Sequence, residues 1–306
     1  MMQFQVKVPA TTANIGPGFD CLGMAFDLEN EVFVHTQGET LIIKIKGVGE
    51  DLLAPNENNA IYQAMLAYAN AQQAPLPAGI TLKCLNRIPL GSGLGSSSAA
   101  AVAGILIART LLGKQPDLEA ELALATRLEG HPDNVAPCLM GGLVAATMTD
   151  AGIIQTLALP VAAELELVLV HPLFSFPTKI ARAALPTHVT HHDAVFNASR
   201  AFFLMEALKT GDPHLLKTSL QDRLHQPYRL PLIPGAFSAI EKAQEAGAIA
   251  TVLSGAGPSL LAFSPSPQLN QPIAQAIRSA FTGAGLESET FFPHVAKTGA
   301  EVTQLE

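Results

Sequence analysis

The sequence predicts an α+β protein of two domains, and three observations carry that prediction. Its 306 residues exceed what one core ordinarily holds and suit two, at roughly 150 residues each. An apolar share of 48% with only 14% charged residues excludes disorder as the dominant state. Strand and helix patterns alternate without the rhythm of a doubly wound sheet, which favours two α+β layers.

The elements follow in order. Phe4, Val6 and Val8 alternate with polar neighbours, as do Leu41, Ile43 and Ile45, and Ile80 to Leu85 is a further strand, so the N-terminal third opens with half-buried strands. Between them, residues 59–72 place Ile61, Met65 and Tyr68 at helical spacing before a proline-rich loop. Residues 96–112 are apolar on nearly every face, which suits a helix buried on two sides, with Ser98 and its serine neighbours placed to cap its start. In residues 117–130, Leu118, Leu122, Ala125 and Leu128 share one stripe, acidic residues occupy the first turn and Gly130 is the stop. The pattern resets around Pro160, and the domain boundary is placed there, dividing the chain into 1–160 and 161–306. Beyond it come a strand, Leu165 to Val170, a loop containing His191 and His192, and a helix, Ala194 to Thr210. A helix from Ala236 to Ala246, a strand pair around Gly255 to Pro258 and a helix from Leu269 to Phe281 complete the second half.

Composition excludes several classes of function. The 18 Lys and Arg against 26 Asp and Glu leave a formal charge of −8, so nucleic acid or an anionic bilayer would be repelled at long range. Any anionic ligand must be gripped locally. The longest uncharged stretch, Ile88 to Ala108, is interrupted by a proline, glycines and three adjacent serines and does not read as a membrane span. The N-terminal MMQFQVKVPA lacks the pattern of a secretory signal, and the chain is expected to be cytoplasmic. Cys21, Cys84 and Cys138 are odd in number, far apart and without a CxxC pair, and are expected to be buried thiols.

The segment IPLGSGLGSSSAAAVAG, residues 88–104, carries the most chemistry. Gly91, Gly93 and Gly95 allow main-chain N–H groups to approach a ligand closely, Ser96, Ser97 and Ser98 add hydroxyls, and the following helix turns its positive end towards them. The sum is an anion site able to cradle a polyphosphate without net basic charge. It is not a Walker A loop, because no Lys lies between residues 84 and 113, and it is not a Rossmann fingerprint, because the run is GxGxG with no acidic residue at the required distance.

This PxGxGLGSSS run resembles the phosphate loop of the GHMP kinase superfamily. VPATTANIGPGFDCLGMAFD (residues 8–27) is similar to the first motif of its homoserine kinase branch, and LSGAGPSLLAF (253–263) to the superfamily's third motif. With EGHPDNVAPCLMGG (129–142), PTKIARAALP and HQPYR, the resemblance covers nearly the whole chain. It implies an N-terminal α+β ATP-binding domain and a ferredoxin-like C-terminal domain, use of ATP and Mg²⁺, a homodimer, and transfer of a phosphoryl group to the hydroxyl of L-homoserine. Pro89, Leu90, Gly91, Ser92, Gly93, Leu94, Gly95, Ser96, Ser97, Ser98 and Asn59 are then expected at ATP. Ser97 and Glu129 are the expected metal ligands and catalytic residues, in keeping with the taste of a hard cation for hydroxyl and carboxylate oxygens.

The resemblance also places Asn14, Asp20, His131, Asn134, Thr178, Arg182, Arg229 and Gly257 at the substrate. A zwitterionic amino alcohol needs its carboxylate, ammonium and hydroxyl satisfied away from bulk water. Arg182 and Arg229 suit the carboxylate with planar forks, and Asp20 and Asn14 suit the ammonium. Lys7 and Asp20 invite comparison with superfamily members that use a Lys–Asp pair on the acceptor hydroxyl, but Asp20 is read as an ammonium ligand. Two alternatives stay open at this point: a GHMP kinase for another small alcohol, and a non-catalytic nucleotide sensor.

Overall fold

The computed structural model describes residues 2–305. Its first half contributes six strands to a seven-stranded sheet. Strands β1 (Gln3–Asn14) and β2 (Gly18–Thr36) form a long antiparallel hairpin, with Phe4, Val6 and Val8 buried as the alternation predicts. β3 (Leu41–Gly47), helix α1 (Ala60–Ala71) and β4 (Ile80–Asn86) follow, with β3 and β4 parallel and β4 antiparallel to the second half of β2. Helix α2 (Ser96–Leu111) is buried along nearly its whole length, as its uniform apolarity requires. α3 (Leu118–Glu129) starts at the Asp117 side chain, which accepts from Ala120 N–H, and stops at Gly130 in the left-handed region. α4 (Val135–Met140), β5 (Leu143–Met148) and β6 (Ile154–Leu159) complete this half, β5 pairing with the first half of β2.

The second half begins with β7 (Glu166–Pro172), α5 (Thr178–Ala183), α6 (His191–Thr210), α7 (Pro213–Ser219) and the short α8 (Gln226–Arg229). It continues through α9 (Ala236–Glu245), β8 (Ala250–Leu253), β9 (Leu260–Ser264), α10 (Pro267–Gly283) and β10 (Ser288–Phe291). The antiparallel order β10-β7-β9-β8, with α9 and α10 packed on one face, is the expected ferredoxin-like arrangement. Val168, Val170 and Leu260 face those helices, whereas Leu167, Leu169, Leu261 and Phe263 join the first core. A sheet covered on both faces explains why Leu167 to Val170 reads as a continuous apolar run.

Contacts cross residue 160 in two places: Leu204, Leu208 and Leu216 of α6 and α7 lie in the first core, and β11 (Glu301–Gln304) pairs with β1 at the edge of the first sheet. Two sequence expectations are corrected. His191 and His192 are exposed but helical, because the Thr190 side chain caps Asp193 N–H and starts α6 three residues early. Cys84 and Cys138 are buried thiols, the Cys84 thiol pushed up to about 12 by burial, but Cys21 is exposed. Among the described residues no helix is long and apolar enough to cross a membrane.

His171, near the end of β7, sits in this second sheet beside Ser259 Oγ at 3.1 Å, and burial lowers its imidazole to about 4 from an ordinary 6.5. Between those values the unfolded chain binds a proton that the folded chain refuses, so stability falls as the pH drops from 6.5 towards 4, by about 3 kcal/mol in all, and then levels. Denaturant titrations at pH 7 and pH 4.5 should therefore diverge less for His171→Gln than for the native chain. Equal pH losses in both proteins would refute the assignment.

Candidate active site

The loop before α2 takes its shape from close backbone approaches. Gly91, Gly93 and Gly95 all adopt positive φ, +61°, +79° and +67°. A Cβ on Gly93 would drive into the carbonyl oxygen of Ser254, and one on Gly95 into the hydroxyl of Thr11, so neither position accepts a side chain. Ser92 Oγ donates to Pro89 O at 2.7 Å and accepts from Leu94 N–H at 3.2 Å, while Leu94 O receives Thr11 N–H at 3.1 Å. These bonds hold the loop's inner edge.

Helix α2 starts at Gly95 with no side-chain cap, contrary to the expectation that its serines would serve. Ser97 Oγ donates to Glu129 Oε1 at 2.6 Å and Ser98 Oγ to Glu129 Oε2 at 2.7 Å. The end of α3 therefore presents a carboxylate to the head of α2, where the uncapped amides and the helix dipole favour negative charge. That placement explains an acidic residue in the last turn of α3, where it is otherwise disfavoured. Ser98 is buried and Ser97 is exposed to the cleft.

One cleft joins this loop to the other expected residues. Asn14, Asp20, Gly91 to Ser98, Glu129, His131, Asn134, Thr178, Arg182 and Arg229 all line it. Asp20 and Arg182 pair bidentately, both contacts at 3.1 Å. Asn14 holds the start of β2 that carries Asp20: its Oδ1 accepts from Asp20 N–H at 2.9 Å, and its Nδ2 donates to Gly255 O at 2.7 Å. Arg229 is 1% exposed and has no ion-pair partner among the described residues. Its Nε donates to Ala181 O at 3.2 Å and its Nη1 to Gly255 O at 3.4 Å, and its guanidinium lies 5.2 Å over the Phe19 ring. Desolvation pulls its affinity for a proton down, opposed by Asp20.

His131 is hydrogen-bonded through Nδ1 to the buried Asp133, and this bond raises its pKa. Asn134 Oδ1 accepts from Thr11 Oγ1 at 2.8 Å, which ties α4 to β1.

One residue expected at the substrate stands elsewhere. Gly257 is not in the cleft wall; its Cα faces Ile233, Leu253 and Phe176 in the second core, and Gly255 and Ala256 line the cleft in its stead. Lys7 is also outside the cleft, on β1 in register with Glu31 and Glu301.

A second hollow, of about 360 Å³, opens on the far side of the loop and shares Gly91, Ser96 and Ser97 with the cleft. Val32, Ile45, Ile61 and Ala103 make it apolar, and Asn30, Asn59 and Asn86 supply amide edges. Leu90 lines it, but Pro89 lines neither space and serves the loop through its carbonyl. Asn59 also caps α1, accepting from Ile61 N–H at 3.0 Å. Sequence reasoning missed Asn30 and Asn86, which lie on separate strands, and Asp133, which stood in the HPDN run beside residues it did select.

Comparison with known proteins adds independent findings. The chain matches the GHMP kinases N terminal domain over residues 59–142 and the GHMP kinases C terminal domain over residues 204–283. It is 45% identical over 285 residues to a homoserine kinase of Moorella thermoacetica, covering 92% of this chain and 94% of that one. It is 39% identical over 296 residues to a homoserine kinase of Carboxydothermus hydrogenoformans, covering 96% and 95%. The crystal structure of homoserine kinase from Cytophaga hutchinsonii matches with a TM-score of 0.87 and 33% identity, over 99% of this chain and 98% of that one. A mevalonate kinase of L. major, at 14% identity and a TM-score of 0.72, shares the fold.

Proposed function

Because this chain belongs to the homoserine kinases of the GHMP kinase family, we propose that it transfers the γ-phosphoryl group of ATP to the side-chain hydroxyl of L-homoserine, yielding O-phospho-L-homoserine for threonine biosynthesis. The observation that carries this reading is a single cleft with an amide-lined loop on one wall and, on the other, an Asp20–Arg182 pair and the buried guanidinium of Arg229.

The nucleoside would occupy the apolar hollow and its triphosphate the loop, held by main-chain N–H groups and the head of α2. Ser97 and Glu129 form an all-oxygen donor set at the foot of that loop, which fits Mg²⁺, a cation that takes one or two protein oxygens and completes its shell with phosphates and water. When bound, it would neutralise charge on the transferring phosphoryl group.

Homoserine enters beside Asp20. Its carboxylate would meet Arg229 and Arg182, and its ammonium Asp20, so the Asp20–Arg182 pair opens and each partner receives an opposite charge from the substrate. Among the described residues no lysine lines the cleft to act as a base. A loose transition state needs none, and positioning with electrostatic stabilisation supplies the acceleration. We include in the proposal a homodimer, testable by sedimentation, and a cytoplasmic location.

The direct test is ADP release with ATP, Mg²⁺ and a panel of small hydroxy acids and amino alcohols. Turnover should be fastest with L-homoserine and weak with its deaminated analogue; equal rates with both would reject the ammonium site. Asp20→Asn should raise the homoserine KM at least about tenfold while kcat at saturation survives, because the lost contact is to the bound substrate rather than to the reacting atoms. A loss confined to kcat would instead make Asp20 a base.

A further inference from the structure

Arg229 is held from behind by a residue that no step above uses. His225, immediately before α8, is 0% exposed, and its two ring nitrogens face groups of different character. Nε2 lies 2.9 Å from Gly16 O. A carbonyl only accepts, so Nε2 carries the hydrogen. Nδ1 lies 3.5 Å from Arg229 Nη1, a group that only donates, so Nδ1 presents its lone pair. The neutral Nε2–H tautomer satisfies both contacts at once.

The surroundings keep that arrangement in place. Asp222, 3.6 Å from Nε2, accepts from the N–H groups of Leu224, His225 and Gln226 and from Asn197 Nδ2, so its carboxylate is satisfied without a proton from the imidazole. The His225 ring stacks on Phe19 with centroids 5.3 Å apart, the same ring over which the Arg229 guanidinium lies. Gly16 lies in the turn between β1 and β2, and Phe19 and Asp20 open β2 straight after it. His225 thus ties the start of β2, which carries Asp20, to the helix carrying Arg229.

We propose that His225 is a positioning residue for substrate: as the neutral Nε2–H tautomer it accepts from Arg229, aims the guanidinium into the cleft and keeps it in register with Asp20. The inference rests on the homoserine reading above. It predicts that His225 acts on the substrate carboxylate through Arg229 and leaves the nucleotide untouched.

His225→Gln retains a donor for Gly16 O but no acceptor at the Nδ1 position. It should raise the homoserine KM about tenfold, with the ATP KM and kcat within about threefold of native. His225→Asn, whose Oδ1 can accept from Arg229, should recover part of that loss. The preference for homoserine over 3-aminopropan-1-ol, which lacks the carboxylate, should shrink in His225→Gln, and adding His225→Gln to Arg229→Ala should cost nothing further. A native homoserine KM in His225→Gln, or losses that multiply fully in the double variant, would overturn the inference. If the variants do not fold, ¹⁵N spectra of the native chain labelled at histidine decide it, since a hydrogen on Nδ1 of His225 also overturns it. Native protein that ignores homoserine altogether would defeat the homoserine reading instead.

Discussion

Glu129→Gln is expected to lower kcat by about 10²–10³-fold while leaving the fold intact, on the scale of removing one preorganised electrostatic group from a phosphoryl or acyl transfer site. The amide has the same shape as the carboxylate, accepts from one of the two serine hydroxyls and donates to the other, so the contact between α3 and α2 survives. Only the negative charge is lost. That charge faces the place where the triphosphate would lie, and it repels the nucleotide unless a cation intervenes. The substitution should therefore act in opposite directions on two binding constants: ATP alone binds more tightly, and ATP with Mg²⁺ binds more weakly. Isothermal titrations with and without EDTA read both. If both constants move the same way, Glu129 is not the residue that couples metal to nucleotide.

Arg229→Met should raise the homoserine KM by about 30-fold or more, corresponding to the roughly 2–5 kcal/mol of a buried charge-assisted contact. The same change should raise the Tm of the unliganded protein, or at worst leave it unaltered. A guanidinium that is 1% exposed without a carboxylate beside it is a desolvated charge, held by carbonyls and an aromatic face, and an apolar side chain of similar length avoids that penalty. Weaker substrate binding with higher thermal stability marks a residue kept for its ligand. A Tm several degrees below native would show instead that Arg229 chiefly braces α8 against α5.

What was legible in the chain depends on how far apart the interacting residues lie. The loop from Gly91 to Gly95 could be read because turn glycines and the helix that follows them are local, and all three glycines do take positive φ. Glu129 could be read only through resemblance, since its serine partners are 31 and 32 residues away. Asn14 lines the cleft, and the bonds its side chain also makes to Asp20 and to Gly255, the latter 241 residues distant, lay beyond any reading of the chain. Nor could periodicity show that Asp20 and Arg182 already pair, that Cys21 is exposed, or that β11 returns to the first sheet. Each depends on tertiary contacts, which no window of sequence contains.

The packing of Gly93 against Ser254 bears on how the two halves share their work. Ser254 Oγ donates to Gly93 O at 2.9 Å, and Gly255 N–H reaches Ala13 O at 3.0 Å, so a hairpin from the far end of the polypeptide acts as the mould in which the anion cradle is cast. A fragment ending before that hairpin would contain every atom of the cradle yet lack its template. Nucleotide affinity in this enzyme is thus a gauge of how well two distant stretches of chain have come together.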